Sequence, residues 1–237
     1  MLLPVYNTKE EYIRESIASI LRQTYHEFEL LILDDGSTEE HVAHVISSFD
    51  DPRIIYYYTE HKGLSAILNM GIHNSRGKYI ARMDSDDIAY PERLLKQFSY
   101  LEANQHISIL GTSIEIVSSS EIRRHTIRPT LLDAFFYCPF FHPTVMWRKA
   151  DFEKYNLYYD EQCQHYEDHE LWSRALYYLE GRNLQEPLLA YRIHSESVSV
   201  KYNDIQRKGS ESLKRRIVAL CTNNIEEQNA LMDLLNQ

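Results

Sequence analysis

An α/β fold, a mostly parallel central sheet with flanking helices, is predicted by three observations on this 237-residue sequence. Its first hundred residues alternate between short apolar runs and stretches with helical apolar spacing, the connections are short, and the apolar runs stop at acidic turns. Alternation of that kind implies parallel strands joined by right-handed crossovers, with helices covering the sheet. Leu2, Leu3 and Val5 read as the end of a buried first strand. Thr8-Lys9-Glu10-Glu11 has the Thr-x-x-Glu form of a capping box, and Tyr12, Ile13, Ile17, Ile20 and Leu21 follow at helical spacing. Phe28 to Leu33 reads as a strand that ends in the turn Asp34-Asp35-Gly36-Ser37. Val42, Val45, Ile46 and Phe49 mark a second helix, and Arg53 to Tyr58, after Asp51-Pro52, a third strand. Leu64, Ile67, Leu68 and Ile72 form another helical face. Arg76-Gly77 breaks it before the strand Lys78 to Met83, which runs into Asp84-Ser85-Asp86-Asp87. Pro91 suits the first position of a helix carrying Leu94, Leu95, Phe98 and Leu101.

After residue 105 the pattern becomes mixed. Ile107 to Val117, His142 to Arg148 and Leu184 to Ile193 read as strands, and Glu170 to Leu179 as a helix. Asp204 to Leu235 is helical and amphipathic, with Ile205, Leu213, Ile217, Leu220 and Leu231 among its apolar positions. No repeat or flexible linker separates the halves, so the second is expected to complete the sheet of the first.

Composition narrows the function. With 43% hydrophobic residues and only 7 Gly and 7 Pro, the chain is expected to fold around a substantial core. Its net charge of −10 argues against a nucleic-acid partner, which calls for a basic face. A phosphate ligand would therefore need a cation beside it. The 18 Tyr supply rings with an apolar face and a hydroxyl, suited to sugars and bases as well as to the core. Cys138, Cys163 and Cys221 form no CxxC pair and are odd in number, the usage of a reduced compartment. Apolar runs such as Leu30-Leu31-Ile32-Leu33 are far short of the about 20 residues that a membrane span needs. The first residues lack the basic region of a signal peptide. A cytoplasmic location, at the inner face of the cell membrane, is the expectation.

Ligands of open α/β sheets bind beyond the carboxyl ends of the strands. Asp34-Asp35 and Asp84 to Asp87 both follow strands directly, which places them on one rim. Two carboxylates spaced as in Asp84-Ser85-Asp86 can converge on a hard divalent cation and leave coordination sites for phosphate oxygens and water. An acidic turn that caps the next helix is the plainer reading of the same residues.

The ordered motifs make the sequence recognisable. Pro4-Val5-Tyr6-Asn7 is followed by Glu15 to Thr24, Phe28-Glu29-Leu30, Asp34 to Thr38, Lys62-Gly63 and Asn69-Met70-Gly71-Ile72. Gly77 to Ala81 leads into Asp84-Ser85-Asp86-Asp87 and Pro91-Glu92-Arg93-Leu94. His142 to Met146, Glu167-Asp168-His169-Glu170-Leu171-Trp172 and Tyr191-Arg192-Ile193-His194 complete the set. Over residues 4 to about 198 the chain resembles glycosyltransferase family 2, the inverting nucleotide-sugar transferases of GT-A fold. The resemblance implies a catalytic domain at 1–200, with a nucleotide-binding half at 1–105 and an acceptor-side half at 106–200, and a C-terminal amphipathic helical extension at 201–237.

The resemblance also implies roles. Pro4, Tyr6 and Asp35 would make the nucleotide pocket, where a carboxylate such as Asp35 can accept from the ring N–H of uracil. Asp84 would meet the ribose or the metal, and Asp86 would be the main ligand of Mn²⁺ or Mg²⁺. His194 matches a position that can add an imidazole ligand. Lys62 would meet the diphosphate as a point charge. Asp168 matches the catalytic base, which removes the acceptor hydroxyl's proton as that oxygen attacks the anomeric carbon. Glu167 is the fallback base. A helix N-cap is the plainer reading of Asp168, as a turn contact is for Asp35 and a satisfied polar residue for His194. His142 would approach the donor or acceptor pocket without being catalytic.

The expected partners are a UDP-sugar donor and a glycan or lipid-linked acceptor, in bacterial surface polysaccharide synthesis. A packed helix with a solvated basic edge is the plainer reading of Lys214-Arg215-Arg216, with a peripheral membrane contact as the alternative, and the C-terminal helix offers a route to a homo-oligomer. No Gln-x-x-Arg-Trp motif follows the base, because no Trp lies beyond Trp172, so a single addition is expected over processive polymerisation. Two other classes compete. Nucleotidyl transfer to a sugar phosphate uses this kind of sheet, but Pro4 to Glu10 lacks the glycines of its phosphate loop. A catalytically inactive nucleotide-sugar-binding module is opposed by the joint presence of Asp35, Asp84, Asp86 and Asp168.

Overall fold

The computed structural model of the chain describes residues 1–194 and 202–235. Strands β1 (Leu2–Val5), β2 (Leu30–Asp34) and β3 (Ile54–Tyr58) form a parallel sheet in that order, connected through helices α1 (Glu10–Leu21) and α2 (Glu40–Ser47). Helix α3 (Leu64–Asn74) follows β3. Both faces of β1 and β2 are covered, so these strands are apolar almost throughout. The period of two divides them between two cores. Leu3, Val5, Leu30 and Ile32 meet Ile13, Ile17 and Ile20 of α1 and Val42, Val45 and Ile46 of α2. Leu2, Leu31 and Leu33 meet Ile67, Leu68 and Ile72 of α3 on the other face.

A second sheet has the order β4-β8-β6-β9-β5, with β7 beside β6. Its strands are β4 (Tyr79–Ala81), β5 (Ile88–Ala89), β6 (Ile107–Ile116), β7 (Ile122–Arg123), β8 (Met146–Arg148) and β9 (Glu180–Tyr191). The α/β class and its flanking helices agree with the sequence expectation. Among the named strands, however, parallel pairing is confined to β1-β2-β3 and β6-β9, because β8, β5 and β7 run antiparallel to their neighbours. Apolar periodicity carries no strand direction, so these short strands gave no sign of it. The sheets meet where Leu2 bridges Arg82 and the Met83 N–H donates to the Leu2 carbonyl at 3.1 Å. That contact brings the end of β4 beside β1, and thereby the Asp84 turn beside Tyr6.

Helices α4 (Arg93–Ala103), α5 (Leu131–Phe136), α6 (Lys149–Lys154) and α7 (Glu167–Tyr178) complete the described part of 1–200. Helix α8 (Asn203–Cys221) buries Leu213, Ile217 and Val218 against Ala134 and Phe135 of α5, and α9 (Ile225–Leu235) follows it. The expected domain limit between residues 200 and 201 lies outside the described residues, as does the end of the motif span near 198.

Three local expectations are corrected. Thr8 does not cap α1: Lys9 is the N-cap and no side chain caps the helix. The Thr8 hydroxyl is instead hydrogen-bonded to Ser85 Oγ at 2.6 Å. The stretch His142 to Arg148 is not one strand, since His142–Thr144 forms a 3-10 turn around Pro143 before β8 begins. A proline lacks the N–H that a ladder position requires. Finally, α7 starts at Glu167 with Tyr166 as its N-cap, so Asp168 lies inside the first turn and is not the cap.

Candidate active site

The two acidic turns are tied together through the residues that follow β1. Asn7, which adopts a positive φ of 48°, takes the Ser37 hydroxyl as acceptor for its own N–H at 2.9 Å. Its side-chain oxygen accepts from the Thr38 N–H at 2.8 Å. Thr8 reaches the other way, to Ser85. The rim inferred from strand ends is thus a hydrogen-bonded unit.

At its first corner Tyr6 is half exposed and stacks on His61, with ring centroids 4.2 Å apart. The buried Asp35 carboxylate accepts from the backbone N–H groups of Lys62 at 2.8 Å and Gly63 at 2.9 Å, and pairs with His61 Nδ1 at 2.9 Å. Asp35 therefore pins the loop before α3, a long-range bond in place of the local turn contact. Gly36 makes the close approach possible: at φ 75°, a Cβ there would lie 2.6 Å from the His61 backbone nitrogen. Lys62 contributes its backbone to this pin and leaves its side chain exposed. Pro4 is not brought to the rim. It is buried within β1, paired with Leu33.

At the second corner Asp84 is held bidentately by Arg82, with Nη1 2.8 Å from Oδ2 and Nη2 on Oδ1. Arg82 is almost wholly buried. Two residues apart at a strand end, the pair projects to one side, a signal the sequence reading passed over. Burial pushes the Asp84 carboxyl above its ordinary range, and Arg82 opposes that shift. Asp86 is free of Arg82 and its Oδ2 lies 2.8 Å from His194 Nε2. Arg192 braces this approach: its backbone N–H donates to Asp87 Oδ1 at 3.0 Å, its Nη1 to the Asp86 carbonyl at 2.6 Å, and its Nη2 to Glu15. Among the described residues, Asp84, Asp86 and Asp87 each offer an oxygen within 4.8 Å of one another. Asp87 is fully buried and its Oδ2 has no hydrogen-bond partner. Burial and then the charges of Asp84 and Asp86 push its carboxyl well above the usual range. These hard oxygens and one imidazole suit a divalent cation such as Mg²⁺ or Mn²⁺.

The third corner comes from α7. The charge of Asp168 acts on both Arg82 and Asp84. Its Oδ2 lies 3.6 Å from Cys138 Sγ. Glu167 is more deeply buried, and burial followed by repulsion from Asp168 pushes its carboxyl up to about 7. His142 is buried and bonded to the Tyr159 hydroxyl at 2.8 Å. Burial, then the Arg82 charge, pushes His142 well below the usual imidazole range, so it is neutral. Of the residues singled out from sequence, Tyr6 and Asp35 lie at the first corner, Asp84, Asp86 and His194 at the second and Asp168 on α7; beside them stand His61, Arg82, Asp87, Cys138, Tyr159 and Arg192, to which the sequence reading gave no role.

Sheet, acidic rim and α7 carboxylates together define the class, a nucleotide-sugar transferase of GT-A type. The chain belongs to glycosyltransferase family 2: residues 1–179 match the family described as Glycosyl transferase family 2. It is 35% identical over 202 residues to the O-antigen biosynthesis glycosyltransferase WbnJ of Escherichia coli, covering 79% of this chain and 77% of that one. The fold is similar to that of S. aureus TarS 1-349 in complex with UDP-GlcNAc, with TM-score 0.77 and 20% identity. That match covers 94% of this chain and 66% of the TarS chain, so the present chain spans just under two thirds of it. A mannosyltransferase from Pyrobaculum calidifontis in complex with GDP-Man and Mn²⁺ matches with TM-score 0.63 and 13% identity, covering 98% of this chain and 77% of that one. Among the described residues, no helix is long and apolar enough to cross a membrane.

Proposed function

We propose that this chain transfers a sugar, with inversion, from a UDP-sugar to a hydroxyl of a glycan or lipid-linked acceptor in surface polysaccharide synthesis. The observation that carries the reading is the convergence of Asp86 and His194, at 2.8 Å, on the rim that also presents Asp84 and Tyr6. The relative WbnJ, described as an O-antigen biosynthesis enzyme, supports the polysaccharide context. The UDP-GlcNAc held by TarS supports the uridine donor and a hexosyl or N-acetylhexosaminyl group.

Tyr6 offers a ring face to the base, and Asp35 an acceptor for the uracil N–H. Asp84, locked by Arg82, presents a fixed carboxylate edge to the ribose. Asp86 and His194 would hold the divalent metal, which when bound neutralises charge on the departing diphosphate. The exposed Lys62 adds a cation near the same phosphates. Asp168 takes the acceptor proton, and the positive charge of Arg82 acts on both that base and Asp84. Neutral His142 and Tyr159 form a polar wall that adds no charge to it.

The test is UDP release from a panel of UDP-sugars with acceptor extracts, with and without Mn²⁺. Asp168→Asn is expected to lose about 10²- to 10⁴-fold in turnover while still binding UDP, the range for a lost general base. Parental turnover by Asp168→Asn removes the base assignment, and release of pyrophosphate from UTP with a sugar phosphate replaces the transferase reading with nucleotidyl transfer.

A further inference from the structure

His61 takes the position that the nucleobase requires. Its imidazole lies on the Tyr6 ring at a centroid separation of 4.2 Å and an interplanar angle of 24°. Its Nδ1 lies 2.9 Å from Asp35 Oδ2, the group assigned to read the base, and 3.0 Å from the Asp35 carbonyl oxygen. A flat ring on Tyr6 with an N–H directed at Asp35 reproduces the two contacts proposed for uracil. At 4.2 Å the rings are in direct contact, with no space for a base between them.

We propose that His61 is a donor-affinity residue: its side chain occupies the nucleobase slot of the free protein and must leave before a uridine nucleotide can enter. This deepens the functional reading above and rests on Tyr6 and Asp35 forming the base pocket. Departure is feasible on two grounds. The His61 side chain is 55% exposed, so it can rotate into water. The loop keeps its shape without the ring, because Lys62 and Gly63 hold Asp35 through backbone N–H groups. The space beside Gly63 is also open, with no atom within 4 Å of a built Cβ. Self-occupation lowers apparent donor affinity by the fraction of molecules in the open state.

The residue's identity matters for this role. Imidazole is planar like a base and carries a ring N–H, whereas an aliphatic side chain would supply neither contact. The slot is thus satisfied without a ligand: the Tyr6 face is covered and Asp35 is fully hydrogen-bonded. A nucleotide exchanges these contacts for similar ones, so the net gain at the base is small and affinity must come from the ribose, diphosphate and metal.

Calorimetric titration of the full chain with UDP in the presence of Mn²⁺ tests this, with Tyr6→Ala and Asp35→Asn defining the pocket. His61→Ala is expected to bind UDP about tenfold more tightly, by removing a competitor that holds most molecules closed. His61→Phe keeps a ring but not the N–H and is expected to fall between parent and His61→Ala. In the parent, the His61 ring proton signals are expected to lose their Tyr6 ring-current shift as UDP is added. If Tyr6→Ala weakens binding in the His61→Ala background while His61→Ala itself binds UDP equally or less tightly than the parent, His61 is not a competitor and the inference is overturned. UDP binding that is indifferent to Tyr6→Ala and Asp35→Asn in the His61→Ala background overturns the pocket assignment, and the competitor with it.

Discussion

His194 Nε2 lies 2.8 Å from Asp86 Oδ2 although 108 residues separate them. Asp86 ends the β4 side of the rim and His194 follows β9, so two strand ends of the second sheet supply opposite halves of the proposed cation site. Arg192 strengthens the approach by bonding Asp87, Asp86 and Glu15 at once.

From that pair, Asp86→Asn is expected to weaken Mn²⁺-dependent UDP binding by at least about tenfold, because a neutral amide replaces the charged oxygen ligand that suits a hard cation. His194→Ala should have a smaller effect, leaving the carboxylate in place. Calorimetry with and without Mn²⁺ reads both; unchanged metal dependence in Asp86→Asn removes the site.

Glu167 makes stability depend on pH. Its carboxyl is pushed up to about 7 from an ordinary 4.5, so between those values the folded chain binds more protons than the unfolded one. Stability is then greatest below pH about 4.5 and falls as pH rises through about 7, by roughly 3 kcal/mol for this group. Glu167→Gln should abolish this component and raise Tm at pH 8 more than at pH 5. Equal shifts at the two pH values count against a buried, proton-holding Glu167.

Arg82 and Asp84 form a pair whose separate loss is costly. Arg82→Met leaves Asp84 facing Asp86 and Asp168 without its counter-ion and is expected to cost about 3–5 kcal/mol in urea denaturation. Asp84→Asn in the same chain should recover part of that loss. No recovery would mean that the Arg82 side chain acts through packing and not through charge.

Gly111 of β6 tests the packing against Asn183 of β9 and Phe140. A Cβ there would lie 2.2 Å from Asn183 Oδ1 and 2.9 Å from Phe140 Cδ1. Asn183 in turn donates to the Thr126 and Pro139 carbonyls, next to Cys138. Gly111→Ala should cost about 1–3 kcal/mol through overpacking. A midpoint equal to the parent's would show that Asn183 can shift freely.

Much of the first half could be read from the chain itself. Its first strands are separated by helices with clear apolar spacing, and two strands run into acidic turns, so parallel direction and a shared rim follow from local rules. In the second half the long strands β6 and β9 and the helix α7 were legible, whereas strand direction was not, because it depends on partners distant in sequence, and neither were the two-residue β7 nor the limits of the three-residue β8. Thr8 shows the same limit at one residue: its local pattern favours a helix cap, yet Ser85, 77 positions away, takes the hydroxyl.

By itself, then, the sequence determined the α/β class, the acidic turns after the strands, and the residue types Asp84, Asp86, Asp168 and His194. These are set by local periodicity and by chemical type, which need no partner. Tertiary structure alone decided which of those groups are committed and which remain available. Arg82 claims Asp84, Lys62 and Gly63 hold Asp35, His61 covers Tyr6, and His194 reaches Asp86. Such assignments depend on angstrom-scale distances between groups far apart in the chain, fixed only once both faces of the sheet have closed around their cores.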